Sequence, residues 1–326
     1  MRPSEQTRPF GETGRALPPL SVGTAALGRP SYLTIDHGRD VTDPSVEGMR
    51  RLTFDVLDAA YAAGIRHIDT AHSYGLAEHF IEEWMERSAA DDLFLTSKWG
   101  YAYVGGWSVD SRAQEVKDLR LTTFARQAPV SFRRFGTRLS GYQIHSATVE
   151  SGVLADEAVL DAMCALAETG VLIGVSTSGP RQAEAIDTVV QYKKSNRLPL
   201  SFVQSTWNLL ETSAAAALSR AAEAGIGVIV KEALANGLLA RGHEIPREVR
   251  TTAERHGVGP DAVCLAAALA LDARPVVLTG PSTVKQLLEN LEAPALELTE
   301  VELRELGGKP RDPSAYWAAR SALRWS

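Results

Sequence analysis

The polar side chains that could carry chemistry stand where short apolar runs of the sequence end. These residues, at or just after the last position of each run, are Asp69, Lys98, His145, Ser176, Gln204, Lys231, Glu232, Thr279 and Gly280. A strand-terminal Asp or Ser taken alone is most often a turn or helix-cap residue. Polar residues at run after run instead predict one functional site, at the edge where parallel strands finish.

The segment at 67–78 holds the densest group of reactive side chains. A strand ending at Asp69, a loop carrying Tyr74 and a helix after Gly75 would turn the phenol back over the strand ends. An ammonium group from Lys98 beside that phenol would lower its pKa from about 10, and Asp69 would keep the ammonium charged and fixed. A tyrosine tuned in this way can serve as a general acid near neutral pH.

The elements that must position these residues are short strands alternating with helices. Eight β-like runs lie at 20–22, 65–69, 93–97, 141–145, 172–176, 202–205, 227–231 and 276–279, and the segments between most of them repeat apolar residues three or four apart. Such alternation indicates βαβ units and a parallel sheet. The number of runs and the lack of a linker between halves favour a closed barrel over an open doubly wound sheet. We therefore predict the α/β class: a single-domain (β/α)8 TIM barrel with a C-terminal helical tail.

The predicted boundaries are a flexible segment at 1–16, the barrel at 17–295 and the tail at 296–326, packed on the barrel. The tail carries Tyr316, Trp317 and Trp325. Two interpretations of these aromatic residues stay open: a helix that covers the outside of the barrel, or an aromatic flap over the mouth of the site.

Composition narrows the classes of partner. The chain has 326 residues and a net charge of −6, without a Lys/Arg-rich stripe, which argues against nucleic acid. The longest apolar run, 262–271, is too short to span a bilayer, and residues 1–15 lack the apolar core of a signal peptide. Cys164 and Cys264 lie in apolar helix-like runs and are expected to be buried thiols. We expect a cytoplasmic protein without a membrane partner; its oligomeric state leaves no trace in the sequence.

The residues at 67–78, His-Ile-Asp-Thr-Ala-His-Ser-Tyr-Gly-Leu-Ala-Glu, resemble the signature of the aldo-keto reductase superfamily. Further segments resemble later elements of that family in the same order: Thr96-Ser97-Lys98, 142–145, Gly-Val-Ser at 174–176, Gln204 with Trp207-Asn208, and the closing nucleotide-binding element at 280–290. The resemblance covers about residues 17–290. It implies reduction of an aldehyde or ketone by hydride transfer from NADPH, or less favourably NADH, with a small-molecule carbonyl or alcohol as substrate.

The resemblance also implies roles for individual residues. Tyr74 would be the general acid, Lys98 and Asp69 its tuners, and His145 a donor that orients the substrate carbonyl. The cofactor-binding residues implied are Ser176, Thr177, Gln204, Lys231, Gly280, Ser282, Lys285, Gln286, Glu289 and Asn290.

Several positions depart from the family pattern or decide between cofactors. No Gly-x-Gly-x-x-Gly follows a strand, so a Rossmann fingerprint is absent.

Lys285 favours NADPH, although Gly280 and Gln286 stand where many NADPH-preferring relatives have Lys and Arg. Thr177 replaces a common Asn. Lys231 stands in place of an aromatic residue that would stack on the nicotinamide; it would instead pair with Glu232 or reach the cofactor diphosphate.

Aromatic residues in the loops predict the substrate pocket. Tyr32, Trp99, Tyr101 and Trp107 would form a wall for an apolar or sugar-like carbonyl compound, with simple packing under a long loop as the alternative.

Three other functions fit some of the same residues. Lys98 and Lys231 fit a Schiff-base aldolase, in which a desolvated lysine attacks a carbonyl. A metal-dependent hydrolase could use a ligand set of His67, Asp69, His72 and His145. No further Glu or His cluster completes a metal shell, so we expect no metal. A nucleotide-binding sensor on the same fold is the third.

Overall fold

The computed structural model describes residues 7–35, 37–242 and 245–325, and it is built on a closed barrel of eight parallel strands. In chain order the strands are β1 Leu20–Gly23, β2 His67–Asp69, β3 Phe94–Trp99, β4 Leu139–Ala147, β5 Leu172–Thr177, β6 Leu200–Thr206, β7 Gly227–Lys231 and β8 Val276–Thr279. Each strand pairs with the next, and β8 pairs with β1 to close the barrel. All eight predicted runs are strands, so the predicted (β/α)8 fold is confirmed.

Helices connect consecutive strands and cover the outside of the barrel. The α-helices of the described residues are α1 His37–Asp40, α2 Val46–Ala62, α3 Ala77–Ser88, α4 Leu121–Phe135, α5 Glu157–Ala167, α6 Gln182–Lys194, α7 Ala215–Glu223, α8 Arg247–His256, α9 Pro260–Leu269, α10 Val284–Asn290, α11 Glu300–Leu306 and α12 Pro313–Ser321. Helix α2 shows the local logic: the hydroxyl of Ser45 caps it by accepting from Gly48 N at 3.0 Å, and its buried face includes Val56, Leu57 and Ala60.

Phenylalanine rings fill the barrel near the start of the strands. The ring of Phe10 packs against those of Phe94 and Phe202, with centroid distances of 5.5 and 5.9 Å. Glycines on neighbouring strands make room for them, since a Cβ at Gly174 would lie 2.3 Å from the ring of Phe202. Polar side chains occupy the layers above. The catalytic end therefore rests on a packed apolar floor rather than an open pore.

Residues 7–16 correct the expectation of a flexible segment at 1–16. Arg8–Pro9 and Ala16–Leu17 form a small antiparallel hairpin, and Phe10 within it is buried beneath the barrel. The apolar floor of the barrel thus depends on this segment. Residues 1–6 lie outside the described residues.

Two later segments extend towards the mouth of the barrel. After β3, Tyr101–Tyr103 and Glu115–Lys117 form an antiparallel hairpin. After β8, α11 contacts α8 through Glu302, which pairs with Arg255 at 2.6 Å, while α12 brings Trp317 and Arg320 to the central cavity.

No helix within the described ranges is long and apolar enough to cross a membrane.

Candidate active site

Asp69, at the end of β2, anchors the centre of the site. Its Oδ1 accepts hydrogen bonds from Thr96 Oγ1 at 2.8 Å, Gln204 Nε2 at 3.0 Å and Gln143 Nε2 at 3.1 Å. Its Oδ2 forms an ion pair with Lys98. A carboxylate that accepts this many hydrogen bonds is fixed in orientation. Gln143 was not predicted as a site residue, although it lies in the segment that carried the His145 resemblance.

Lys98, at the end of β3, is buried and held on two sides. Its Nζ pairs with Asp69, donates to the carbonyl oxygen of Thr70 at 2.8 Å, and lies 3.5 Å from the hydroxyl of Tyr74. Burial lowers the pKa of Lys98, and the charge of Asp69 opposes that shift. The Asp69–Lys98 pair therefore places the ammonium group of Lys98 next to the hydroxyl of Tyr74.

Tyr74 and His145 complete the group of four that the sequence predicted. The Tyr74 hydroxyl lies 3.5 Å from His145 Nε2, the same distance as from Lys98 Nζ. Burial raises the pKa of Tyr74 well above 10, and Asp69 adds to the rise. The expectation of a lowered pKa is thus wrong for this structure, because the desolvation of a phenolate outweighs the attraction of cations such as Arg29. The phenol is protonated at neutral pH.

His145 carries a neutral ring. Burial lowers its pKa well below 6.5, and the nearby charges of Lys98 and Lys231 lower it further. Its ring lies 4.7 Å from the ring of Tyr101, centroid to centroid. Burial and the nearby cationic groups thus keep the imidazole of His145 uncharged, and it can form hydrogen bonds beside Tyr74.

Arg29, in the loop after β1, is a site residue that sequence reasoning missed. Its guanidinium is 1% exposed and lies 5.4 Å from the ring centroids of both Tyr74 and Tyr32 and 4.6 Å from that of Trp325. It pairs with Glu115 at 2.9 Å. No motif marks Arg29, since its partners come from three separate segments of the chain.

A cavity of about 920 Å³ opens above the group formed by Asp69, Tyr74, Lys98 and His145. It extends from Asp69, Tyr74 and His145 across the end of the barrel to the loop after β8. Six of the predicted cofactor residues line it: Gln204, Lys231, Gly280, Gln286, Glu289 and Asn290. Its size lies at the upper end of the range typical for small-molecule and cofactor sites, about 300–1,000 Å³.

The other four predicted cofactor residues do not line this cavity. Ser176 is buried at the end of β5, and its hydroxyl has no hydrogen-bond partner among the described residues. Thr177 donates to Ser205 Oγ at 2.9 Å. Ser282 Oγ lies 3.0 Å from His37 Nδ1. Lys285 is 84% exposed, and its Nζ pairs with Glu289 at 2.9 Å on the surface of α10.

Two charged residues follow one another where β7 ends. Burial lowers the pKa of Lys231 to about 8, and the adjacent Glu232 opposes the shift. Glu232 pairs with Arg320 of α12 at 2.5 Å, and the charges of Arg320 and Lys231 lower its pKa to about 2. The charge of Glu232 is therefore balanced by Arg320 of the tail, and Lys231 lines the cavity beside this pair.

The structure places two of the four predicted wall residues at the cavity. Tyr32 and Tyr101 line the cavity, but Trp99 and Trp107 do not. Trp99 points outward from β3 and packs against Phe124 of α4 at 5.1 Å. Trp107 lies at the edge of the loop after β3, where its Nε1 donates to Pro44 O at 2.8 Å. Both indoles stabilise the surroundings of the loop and not the cavity wall.

The tail supplies aromatic residues in place of those two. Trp317 and Trp325 line the cavity, and Tyr316 is buried beneath them, where its hydroxyl accepts from Asn208 Nδ2 at 3.0 Å. Of the two interpretations of the tail, α12 and the residues after it therefore fit the flap over the mouth.

The histidines do not form a metal shell. Both ring nitrogens of His67 are engaged, by Ser21 Oγ at 2.9 Å and Thr96 Oγ1 at 3.0 Å. Across residues 7–35, 37–242 and 245–325, no group of three or more His, Cys, Asp or Glu side chains could hold a metal ion.

Known proteins share this sequence pattern and this fold. The aldo-keto reductase str7 of Strobilurus tenacellus is 26% identical over 318 residues, which covers 87% of this chain and 85% of that protein. Norsolorinic acid reductase A of Aspergillus parasiticus is 26% identical over 280 residues, which covers 78% of this chain and 70% of that protein. The holo structure of an aldo-keto reductase from Bacillus halodurans superposes with a TM-score of 0.67 at 20% identity, and the match covers 94% of this chain and 97% of that one. This is a similarity of fold.

The sequence model of the aldo/keto reductase family matches residues 19–309, which is most of the chain. The chain belongs to the aldo/keto reductase family, whose members are oxidoreductases that act on carbonyl or alcohol groups and generally use NADH or NADPH.

Proposed function

We propose that the protein reduces a small aldehyde or ketone with a nicotinamide dinucleotide, and that Tyr74 protonates the carbonyl oxygen. The observation that carries this proposal is the position of one protonated phenol, 3.5 Å from a buried ammonium and 3.5 Å from a neutral imidazole, at the base of the cavity. A proton donor and a second polar group aimed at one point are what a developing alkoxide requires.

Each side chain has a task in this reaction. The high pKa of Tyr74 keeps its proton in place until negative charge develops on the substrate oxygen. Lys98 then stabilises the phenolate that forms, and Asp69 fixes Lys98 in position. His145, neutral beside the phenol, orients the same oxygen. A bound reduced nicotinamide would supply the hydride.

The residues present fit such a cofactor. Gln204 lines the cavity, and Ser176 is its register partner on β5, with a hydroxyl that has no hydrogen-bond partner among the described residues. These two polar side chains are suited to a carboxamide. At Gly280, no atom lies within 4 Å of where a Cβ would be, so the backbone after β8 is open to close approach. Glu289 and Asn290 line the same end and would hold the adenosine part.

The charges at that end change the predicted choice of dinucleotide. Sequence favoured NADPH through Lys285, whose ammonium is turned to Glu289 and away from the cavity. Asp261, Glu289 and Glu292 line the cavity there, while the basic Arg241 is paired with Asp40 at 2.6 Å. Because the carboxylates of Asp261 and Glu292 would repel a 2′-phosphate and accept hydrogen bonds from a ribose diol, we propose that NADH binds more tightly than NADPH.

The test is turnover of aldehydes and ketones by the purified protein, followed as loss of reduced-nicotinamide absorbance with NADH and with NADPH. Tyr74→Phe should lower kcat by about 10²–10⁴-fold, with the dinucleotide Kd unchanged. Tyr61→Phe removes a phenol that bonds Asp92 at 2.8 Å far from the site, and should leave turnover unaltered. Undiminished turnover in Tyr74→Phe would overturn the mechanism.

Two further results would point to other functions. Dinucleotide binding without turnover of any carbonyl compound would favour a sensor. A substrate adduct trapped on Lys231 or Lys98 by borohydride would favour a Schiff-base aldolase, although the ion pair with Asp69 makes Lys98 a poor nucleophile. Tighter binding of NADPH than of NADH would return the cofactor assignment to the one that Lys285 favoured.

A further inference from the structure

We propose that Ser21, His67 and Thr96 form a one-directional hydrogen-bond relay through the barrel interior that ends on Asp69 and sets its position beneath Lys98. The inference rests on the proposed function, since Asp69 matters through Lys98 and Tyr74. In this proposal His67 and Thr96 are positioning residues, which act on the reaction through Asp69.

The relay crosses three adjacent strands just above the apolar floor. Ser21 Oγ on β1 lies 2.9 Å from His67 Nδ1 on β2, and His67 Nε2 lies 3.0 Å from Thr96 Oγ1 on β3. Thr96 Oγ1 lies 2.8 Å from Asp69 Oδ1. Ser21, His67 and Thr96 are each fully buried. No water-exposed atom interrupts the chain of three bonds.

The direction of each bond follows from the carboxylate at its end. An ionised Asp69 can only accept, so the single hydroxyl proton of Thr96 lies on the bond to Oδ1. Thr96 must then accept from His67, which places a proton on Nε2. The ring is neutral, because burial lowers the pKa of His67 to about 4, so Nδ1 is an acceptor and Ser21 is its donor.

An aligned chain of this kind strengthens its last bond. Each donor is polarised by the one behind it, and the interior offers no water to compete. Among the described residues, Oδ1 of Asp69 accepts three hydrogen bonds, and Gln143 and Gln204 donate two of them directly from their side-chain amides. The donor of the third bond, Thr96, itself accepts a hydrogen bond from His67, which in turn accepts one from Ser21. Loss of the relay would therefore let the Asp69–Lys98 pair shift beneath Tyr74, although Ser21, His67 and Thr96 do not themselves line the cavity.

Two pairs of variants separate polarity from packing. Thr96→Val removes the hydroxyl at nearly constant shape, and Thr96→Ser keeps it. His67→Leu removes both ring nitrogens, and His67→Gln keeps a donor that can reach Thr96. We expect kcat to fall roughly 10- to 100-fold in Thr96→Val and His67→Leu, the effect typical of a lost hydrogen bond to a charged group. Thr96→Ser and His67→Gln should restore most of it.

The pattern of constants distinguishes positioning from general damage. KM and the dinucleotide Kd should stay near wild type in all four variants, and the double variant Thr96→Val/His67→Leu should be no slower than Thr96→Val alone. Equal kcat in Thr96→Val and Thr96→Ser would overturn the proposal, as would additive losses in the double variant.

The protonation of His67 is measurable without substrate. Nitrogen-15 NMR of the imidazole should show a protonated Nε2 and an unprotonated Nδ1, and Thr96→Val should perturb the Nε2 signal. A protonated Nδ1 contradicts the relay even if turnover is as proposed. Conversely, a wild-type protein that shows this tautomer but reduces no carbonyl compound contradicts the proposed function and leaves the relay geometry standing.

Discussion

The carboxylate of Glu232 and the guanidinium of Arg320 form an ion pair at 2.5 Å that joins the end of β7 to the C-terminal helix α12. Glu232 adopts a left-handed backbone conformation, with φ of 55°, and its side chain is 9% exposed. A non-glycine residue in this region carries strain that the surroundings must offset. The ion pair ties this strained position to the tail, whose Trp317 and Trp325 line the cavity.

Replacing Glu232 by Gln should destabilise the protein, because Arg320 loses its charged partner while it remains mostly covered. Breaking a buried pair by removing one partner costs about 3–5 kcal/mol, and the partial exposure of Arg320 places the expected loss near the lower figure. Chemical denaturation measures it. The double variant Glu232→Gln/Arg320→Met should recover part of the loss; a double variant as unstable as the single one would show that the charge left behind is not the cause.

The same pair predicts loss of stability in acid. The folded-state pKa of Glu232, about 2, lies below its ordinary value of 4.5, so its stabilising contribution is complete above about pH 4.5 and disappears as the pH falls towards 2. The free energy of unfolding should therefore fall more steeply over this interval in the wild-type protein than in Glu232→Gln. Parallel curves for the two proteins, measured by urea denaturation at each pH, would contradict the assignment.

The sequence carried enough information for the strands and for the four central residues, because both follow from local patterns. Apolar runs with polar ends specify parallel strands, and the ends of such strands meet. The outward orientation of Trp99 also follows from a local pattern, because Trp99 comes directly after Lys98 on β3 and alternate residues of a strand face opposite sides. Arg29 shows the opposite case. Its partners Glu115 and Trp325 become neighbours only when distant loops fold over the mouth.

Trp99 and Tyr101 should respond differently to truncation. Trp99→Ala opens a void against Phe124 and should cost about 3–5 kcal/mol of stability, with KM for carbonyl substrates unchanged. Tyr101→Ala removes the ring packed on His145 and should raise KM or lower kcat with a smaller loss of stability. Denaturation curves and steady-state kinetics on both variants check this. A raised KM in Trp99→Ala would restore the sequence-based assignment of Trp99 to the substrate pocket.

Lys231 predicts how dinucleotide binding depends on pH. Its pKa is lowered to about 8, so the ammonium is charged below that pH and loses its charge above it. An anionic dinucleotide in the same cavity should then bind more weakly as the pH rises from 7 to 10, and the bound anion should move the midpoint upward from 8. Titrating tryptophan fluorescence with NADH across this range measures the Kd. Lys231→Met should bind weakly at every pH with no such dependence, whereas Lys285→Met, altered on the exposed face of α10, should keep it. A wild-type Kd that stays constant between pH 7 and 10 would place the ammonium of Lys231 away from the bound dinucleotide.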